Sequence, residues 1–252
     1  VEPLRRFVSV AGAVPVRLSY LQSRPTANSA AAPRIVLVHG TPGSASAWAD
    51  YLLSPPDGAE VLAIDRPGFG RSEPEGAVPG LAEQSAAVRA LLPEAGRAVV
   101  LVGHSLGGPV VAYLAAKLAV EEPARRVTLV LLAASLDPAQ EAIHPMQHVG
   151  AWGPVQSLLP RVIRNANAEL MALKPELEAL GALLPAITAR VFIVHGTRDD
   201  LVPVANVPYM QSNLRSASCI KTILLEGRNH FLPWNSEDEV RRSLHDALEA
   251  AC

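Results

Sequence analysis

The stretch "AVVLVGHSLGGPVVAYLAAKL", residues 98–118, decides the fold. A β-branched run stops at Gly103, and a helical pattern starts at Leu106. Pro109 falls in the first turn of that helix, where backbone N–H groups have no intrahelical partner and proline is tolerated. Between strand and helix stands Gly103-His104-Ser105-Leu106-Gly107, a Gly-x-Ser-x-Gly turn. A serine on such a turn projects from the edge of a sheet, and the glycines give the chain room to bend sharply. It is either idle in a tight turn or a nucleophile.

Outward from this turn, the same grammar recurs. Short apolar runs ending in turn residues appear as "RIVLVHG", "EVLAID", "VTLVLLAAS", "RVFIVHG" and "IKTILLEG". They are apolar at consecutive positions, as expected of parallel strands buried on both faces. Helical patterns lie between them at Leu81–Leu92, Leu106–Val120, Val204–Leu214 and Ser236–Ala250, the last with capping-box spacing at Ser236 and Glu239. Strands alternating with helices predict an α/β fold with a mostly parallel twisted sheet and helices on both faces. Near the N-terminus, alternation over Phe7–Val10 and Val14–Leu21 around "AGAVP" predicts an antiparallel hairpin, followed by the surface loop "QSRPTANSAAAPR". From Asp137 to Ile187 no strand is legible, and helical patches are interrupted by Pro160 and Pro175. The expected organisation is a core of residues 1–136 and 188–252 with a helical lid inserted at 137–187.

Bulk composition narrows the function classes. A formal charge of −2 over 252 residues gives no global field for nucleic acid or an anionic membrane surface. The longest apolar stretch, Ala98 to Val120, contains His104, Ser105, Lys117, three glycines and Pro109, so a buried strand and helix explain it better than a membrane span. Stable membrane insertion is not expected. The chain opens on Val1 with no charged-then-apolar segment, as expected if a leader or another N-terminal part has been removed, and its address stays open between cytoplasm and export. Two cysteines, Cys219 and Cys252, are too few for a disulfide framework, and sequence leaves their pairing open.

A serine nucleophile needs a base, and seven histidines compete. His39 and His195 precede glycines at strand ends, where a backbone role fits. His104 adjoins Ser105 in a turn that points it elsewhere. His144 and His148 lie in the insertion, where their spacing suggests a metal pair without a third ligand, so no metal is expected. His245 is on the last helix. His230 remains, in "LLEGRNHFLPW", a loop with aromatic and apolar anchors. The carboxylate that orients it comes from "VFIVHGTRDDLVP", which offers Asp199 and Asp200. Developing negative charge needs two N–H donors: Leu106, next after the serine, and Thr41 in "VHGTPGS", since Pro42 has none. Trp152, Leu158, Leu159, Met171 and Leu173 are candidates for an apolar acyl pocket, with Trp152 and Met171 the substrate-binding choices.

Together, "VLVHGTPGS", "DRPGFGRS", "GHSLGG", "HGTRDDLVP" and "GRNHFLPW", in this order, resemble the α/β-hydrolase fold family in its smaller lid-bearing branch. The resemblance implies Ser105 as nucleophile, His230 as base, Asp199 as the acid, and Thr41 and Leu106 as oxyanion donors. It implies a carboxylesterase-like serine hydrolase acting on a small-molecule acyl substrate through an acyl-enzyme, with no cofactor. Hydroxynitrile lyases, perhydrolases, carbon–carbon bond hydrolases and non-enzymatic receptors are similar alternatives. Haloalkane dehalogenases and epoxide hydrolases resemble the chain less, because they carry Asp where Ser105 stands. "DRPGFGRS" is expected to be a rigid glycine turn shaping the sheet end.

Overall fold

The computed structural model describes residues 2–10, 16–24 and 32–249. In chain order the elements are β1 (Leu4–Val10), β2 (Val16–Gln22), β3 (Arg34–Val38), α1 (Ala49–Leu53), β4 (Glu60–Ile64), α2 (Leu81–Arg89), β5 (Val99–His104), α3 (Gly107–Glu121) and β6 (Val127–Leu132). There follow α4 (Pro145–Ala151), α5 (Gly153–Leu158), α6 (Arg161–Gly181), β7 (Arg190–Gly196), α7 (Asn206–Asn213), β8 (Cys219–Leu225), α8 (Leu232–Asn235) and α9 (Glu237–Leu248). Eight strands form one sheet in the order β1-β2-β4-β3-β5-β6-β7-β8. β3 through β8 are parallel, while β1 pairs with β2, and β2 with β4, antiparallel. The hairpin is present as β1 and β2; its turn, residues 11–15, lies outside the described residues.

Alternation within the apolar runs builds two cores. Val36, Val38, Leu101 and Leu131 face one cluster, against α2, α3, α6 and α7. Their neighbours Ile35, Leu37, Val100 and Leu132 face the other, against α1 and α9. Successive strand side chains point to opposite faces, so a run must be apolar throughout to bury both. The register brings Val38, Ile64 and Gly103 level at the strand ends. The loops after β3, β4 and β5 therefore leave at one edge of the sheet, as do those after the remaining parallel strands.

Two local expectations are corrected. Pro175 does not interrupt a helix: α6 runs 21 residues through it. Ala166, Glu169, Leu173, Leu177 and Leu180 bury one stripe along α6, and this burial outweighs the ~3 kcal/mol that an interior proline costs. Pro160 does stand at the boundary, as the N-cap of α6. Ser236 makes no capping box with Glu239, because α8 runs directly into α9. The Ser236 N–H donates to Leu232 O at 3.0 Å, and its hydroxyl donates to Asn235 at 3.0 Å. Among the described residues no helix is long and apolar enough to cross a membrane. Whether Cys219 and Cys252 pair, which the sequence leaves open, falls on a residue outside the described ones, Cys252.

Candidate active site

Ser105 sits at φ +55°, in the left-handed region that a residue with a Cβ rarely occupies. Its backbone is pinned there: its N–H donates to Leu132 O at 3.0 Å, and its carbonyl accepts from the Gly108 N–H at 2.9 Å. The flanking glycines do not take the positive φ themselves. They allow close packing instead, since a Cβ on Gly103 would lie 2.3 Å from Gly107 O and one on Gly107 would lie 2.4 Å from Val38 O. The strain is thus loaded on the serine and held by its surroundings, as at many functional turns.

The loops after β7 and β8 are stitched together. Thr197 N–H donates to Leu225 O at 3.1 Å, Arg198 N–H to Arg228 O at 2.9 Å, and Gly227 N–H to Thr197 Oγ1 at 2.9 Å. This sets Asp199 beside His230, with Nδ1 to Oδ2 at 2.8 Å, while Asp200 is exposed. The other Asp199 oxygen accepts from the N–H groups of Leu201 at 3.0 Å and Val202 at 2.7 Å. Burial, the largest influence, pushes this carboxyl up, but the hydrogen bonds from His230, Val202 and Leu201 together hold it below the usual aspartate value. The fold thus favours the ionised form. That contribution is present above the ordinary aspartate range and is lost as pH falls through the lowered value.

His104 has a role that sequence did not disclose. Its ring lies 4.8 Å from that of His230, and its Nε2 bonds the His230 carbonyl oxygen at 3.0 Å. Burial, then the nearby His230, push its pKa down to about 4. It is therefore a neutral imidazole whose Nε2–H anchors the backbone of the His230 loop. His195 also serves backbone, donating to Val202 O at 2.9 Å, with burial the main cause of its lowered pKa.

Leu106 follows the serine at the start of α3, Thr41 stands in the loop after β3, and neither N–H has an acceptor among the described residues. Thr41 Oγ1 is also buried without a partner. A Cβ on Gly40 would lie 2.7 Å from Ser105 Cβ, so the Thr41 loop lies against the serine turn. His39 Nδ1 donates to Gly40 O at 2.7 Å, and its Nε2 accepts from Arg66 N–H at 3.1 Å.

"DRPGFGRS" does more than turn. Gly68 and Gly70 take positive φ, but Arg66 reaches back to the His39 and Gly40 carbonyls, both at 2.9 Å. The same guanidinium makes a bidentate pair with Glu169 of α6 at 2.6 and 3.0 Å. The two side chains are 0% and 1% exposed. Removing one partner leaves the other charge buried and uncompensated. Glu169→Gln is therefore expected to lower unfolding free energy by about 3–5 kcal/mol, and Arg66→Met/Glu169→Met together by much less. Urea titration of the two variants checks this; equal losses would mean that the pair is not coupled.

Ser105, His230, Thr41, Leu106 and His104 line one cavity of about 770 Å³. The 137–187 segment contributes Glu141, His144, Gln147, Leu170 and Leu173 to its wall. Trp152 and Met171, the expected substrate-binding residues, are not on that wall. Trp152 joins α4 to α5 and is 65% exposed, and Leu158 is 86% exposed. Met171 follows Leu170 on α6, and one residue is a rotation of about 100° round a helix, which turns it off the cavity. His144, one of the two histidines of the insertion, caps α4 by accepting from Met146 N–H at 3.2 Å.

A family model described as the alpha/beta hydrolase family matches residues 35–242, and the chain belongs to that family. Over 102 residues the chain is 36% identical to the dihydrolipoyllysine-residue acetyltransferase component of the acetoin cleaving system of Cupriavidus necator. That match spans 40% of this chain and 26% of that protein, so the chain covers only about a quarter of the relative's length. Among solved structures, a thermophilic esterase from Thermogutta terrifontis is similar with a TM-score of 0.70 at 16% identity, over 99% of each chain. The 2-hydroxy-6-oxo-6-phenylhexa-2,4-dienoate hydrolase of Rhodococcus sp. strain RHA1 is similar with a TM-score of 0.71 at 19% identity, covering 98% of this chain and 99% of that one. At such identities the likeness is one of fold.

Proposed function

We propose that this hydrolase-family chain is a serine hydrolase of carboxylic esters or similar acyl compounds, working through an acyl-enzyme. The observation that carries the reading is the 2.8 Å contact between His230 Nδ1 and Asp199 beside the strained Ser105 turn. An Nδ1–H donated to the carboxylate leaves Nε2 as the unprotonated nitrogen. Nε2 takes the Ser105 proton as Oγ attacks the ester carbonyl carbon. The N–H groups of Thr41 and Leu106 hold the oxyanion. Collapse breaks the carbon–oxygen bond to the alcohol, which leaves with the proton from Nε2. Water then attacks the acyl-enzyme with the same base, releasing the acid and restoring Ser105. Leu170 and Leu173 form the apolar wall for the acyl chain, and the 137–187 helices act as a lid.

A carbon–carbon bond hydrolase fits the cavity less well. A dienoate carries a carboxylate, and no Lys or Arg stands on the described wall to pair with it. Purified protein given p-nitrophenyl butyrate and a vinylogous diketone acid is expected to turn over only the ester. Cleavage of the diketone acid with no ester turnover would overturn the reading.

A further inference from the structure

The cavity in front of Ser105 is electrostatically one-sided. Its described wall holds no Lys or Arg and one carboxyl, that of Glu141. His39 and His104 are both kept neutral, chiefly by burial. Glu141 lies just before α4, and its Oε1 accepts from the Ser135 hydroxyl.

No cation compensates that carboxyl. Burial raises its pKa most, the Ser135 hydrogen bond lowers it in part, Asp137 adds repulsion, and no cationic side chain is among the groups that act on it. Asp137 is satisfied by neutral donors, the Ala139 N–H at 2.9 Å and the Gln140 amide at 3.3 Å. A partly buried carboxylate without a counter-charge is costly, so an entering cation relieves the site and an entering anion worsens it.

Aromatic rings supply a second, independent feature. Phe231 and Trp234 line the same cavity, their centroids 6.1 Å apart and their planes 50° apart, forming an open corner. The Trp234 indole N–H is already spent on Ala47 O at 3.0 Å, which leaves the ring as what this residue offers. Ring faces attract ammonium groups.

We propose that this cavity selects compounds bearing an ammonium group, with Glu141 as counter-ion and the Phe231–Trp234 corner as an aromatic wall, and discriminates against carboxylates. As a statement about substrate it rests on the serine-hydrolase reading; as a statement about binding it does not. The cavity is then matched to esters with a positively charged chain rather than to plain fatty or dicarboxylic ones.

Calorimetric titration with hexylammonium, hexanol and hexanoate separates the two levels, because the three share one carbon frame. Hexylammonium is expected to bind at least about tenfold more tightly than hexanol, with hexanoate weakest. Glu141→Gln is expected to bring hexylammonium to within about twofold of hexanol. Equal affinity for hexylammonium and hexanol in the unaltered protein would overturn the inference whether or not the variant folds, and so would a preference that survives Glu141→Gln. In parallel, p-nitrophenyl 6-aminohexanoate is expected to be turned over with a kcat/KM at least about tenfold above that of the hexanoate ester. Hexylammonium preference in a protein that turns over neither ester would leave the binding site standing and remove the hydrolase reading. Ester turnover without that preference would do the reverse.

Discussion

Ser105→Ala is expected to lower turnover of an activated ester by about 10⁶-fold, because it removes the oxygen proposed to attack. The other wall serines are occupied: Ser135 donates to Glu141, and Ser44 and Ser46 bond each other at 2.8 Å. The Thr41 and Leu106 N–H groups stay in place, so a residual rate above that of water remains. Alanine keeps the Cβ that makes φ +55° unfavourable, so the backbone strain is unchanged. The thermal midpoint should therefore move little while kcat collapses. Steady-state kinetics with p-nitrophenyl butyrate, alongside a melting curve, checks both halves. A variant that keeps a tenth of the wild-type kcat would place the reacting oxygen elsewhere.

Asp199→Asn is expected to cost about 10⁴-fold in kcat, for a reason visible in the hydrogen bonds. One carboxylate oxygen accepts from the Leu201 and Val202 N–H groups, a place that only an oxygen can fill. The amide nitrogen of the introduced side chain is thereby turned toward His230 Nδ1. Two donors cannot face each other, so Nδ1 gives up its proton and Nε2 carries it instead. The nitrogen that should take the serine proton is then already occupied. Asp200→Asn touches an exposed side chain and should change kcat by no more than about twofold. Both variants are measured at saturating ester with circular dichroism as a folding control. A crippled Asp200→Asn beside an active Asp199→Asn would reassign the acid to Asp200.

The buried strands were legible because burial on both faces leaves an unbroken apolar run, as in Ile35–Val38 and Val99–Val102. The Ser105 turn was legible because its neighbours must be small. Glycine spacing reports a packing demand, here the closeness of Gly107 to Val38 O. Other features depend on which residues meet across long separations, and a single sequence does not encode that openly. His104 gives no local sign that its ring turns to a loop 126 positions away. Arg66 looks like a turn residue until Glu169, 103 positions on, is found against it. One sign of that pair was present: Glu169 interrupts the otherwise apolar stripe of Ala166, Leu173, Leu177 and Leu180, and an acid in a buried stripe calls for a buried partner. Of the acyl-pocket candidates Leu173 lines the cavity while Trp152 and Met171 do not, because apolar character in 137–187 does not tell the inner face from the outer. Trp152 and Leu158 are apolar and exposed, whereas Leu170 reaches the cavity.

A fluorophosphonate probe bonds only to a serine whose oxygen is already primed to attack, so it reads out whether Ser105 is an activated nucleophile. Intact mass after brief exposure, followed by peptide mapping, should show one adduct per chain, on Ser105, and none in Ser105→Ala. An unmodified chain, or an adduct on another serine, would mean that Ser105 is not the activated nucleophile.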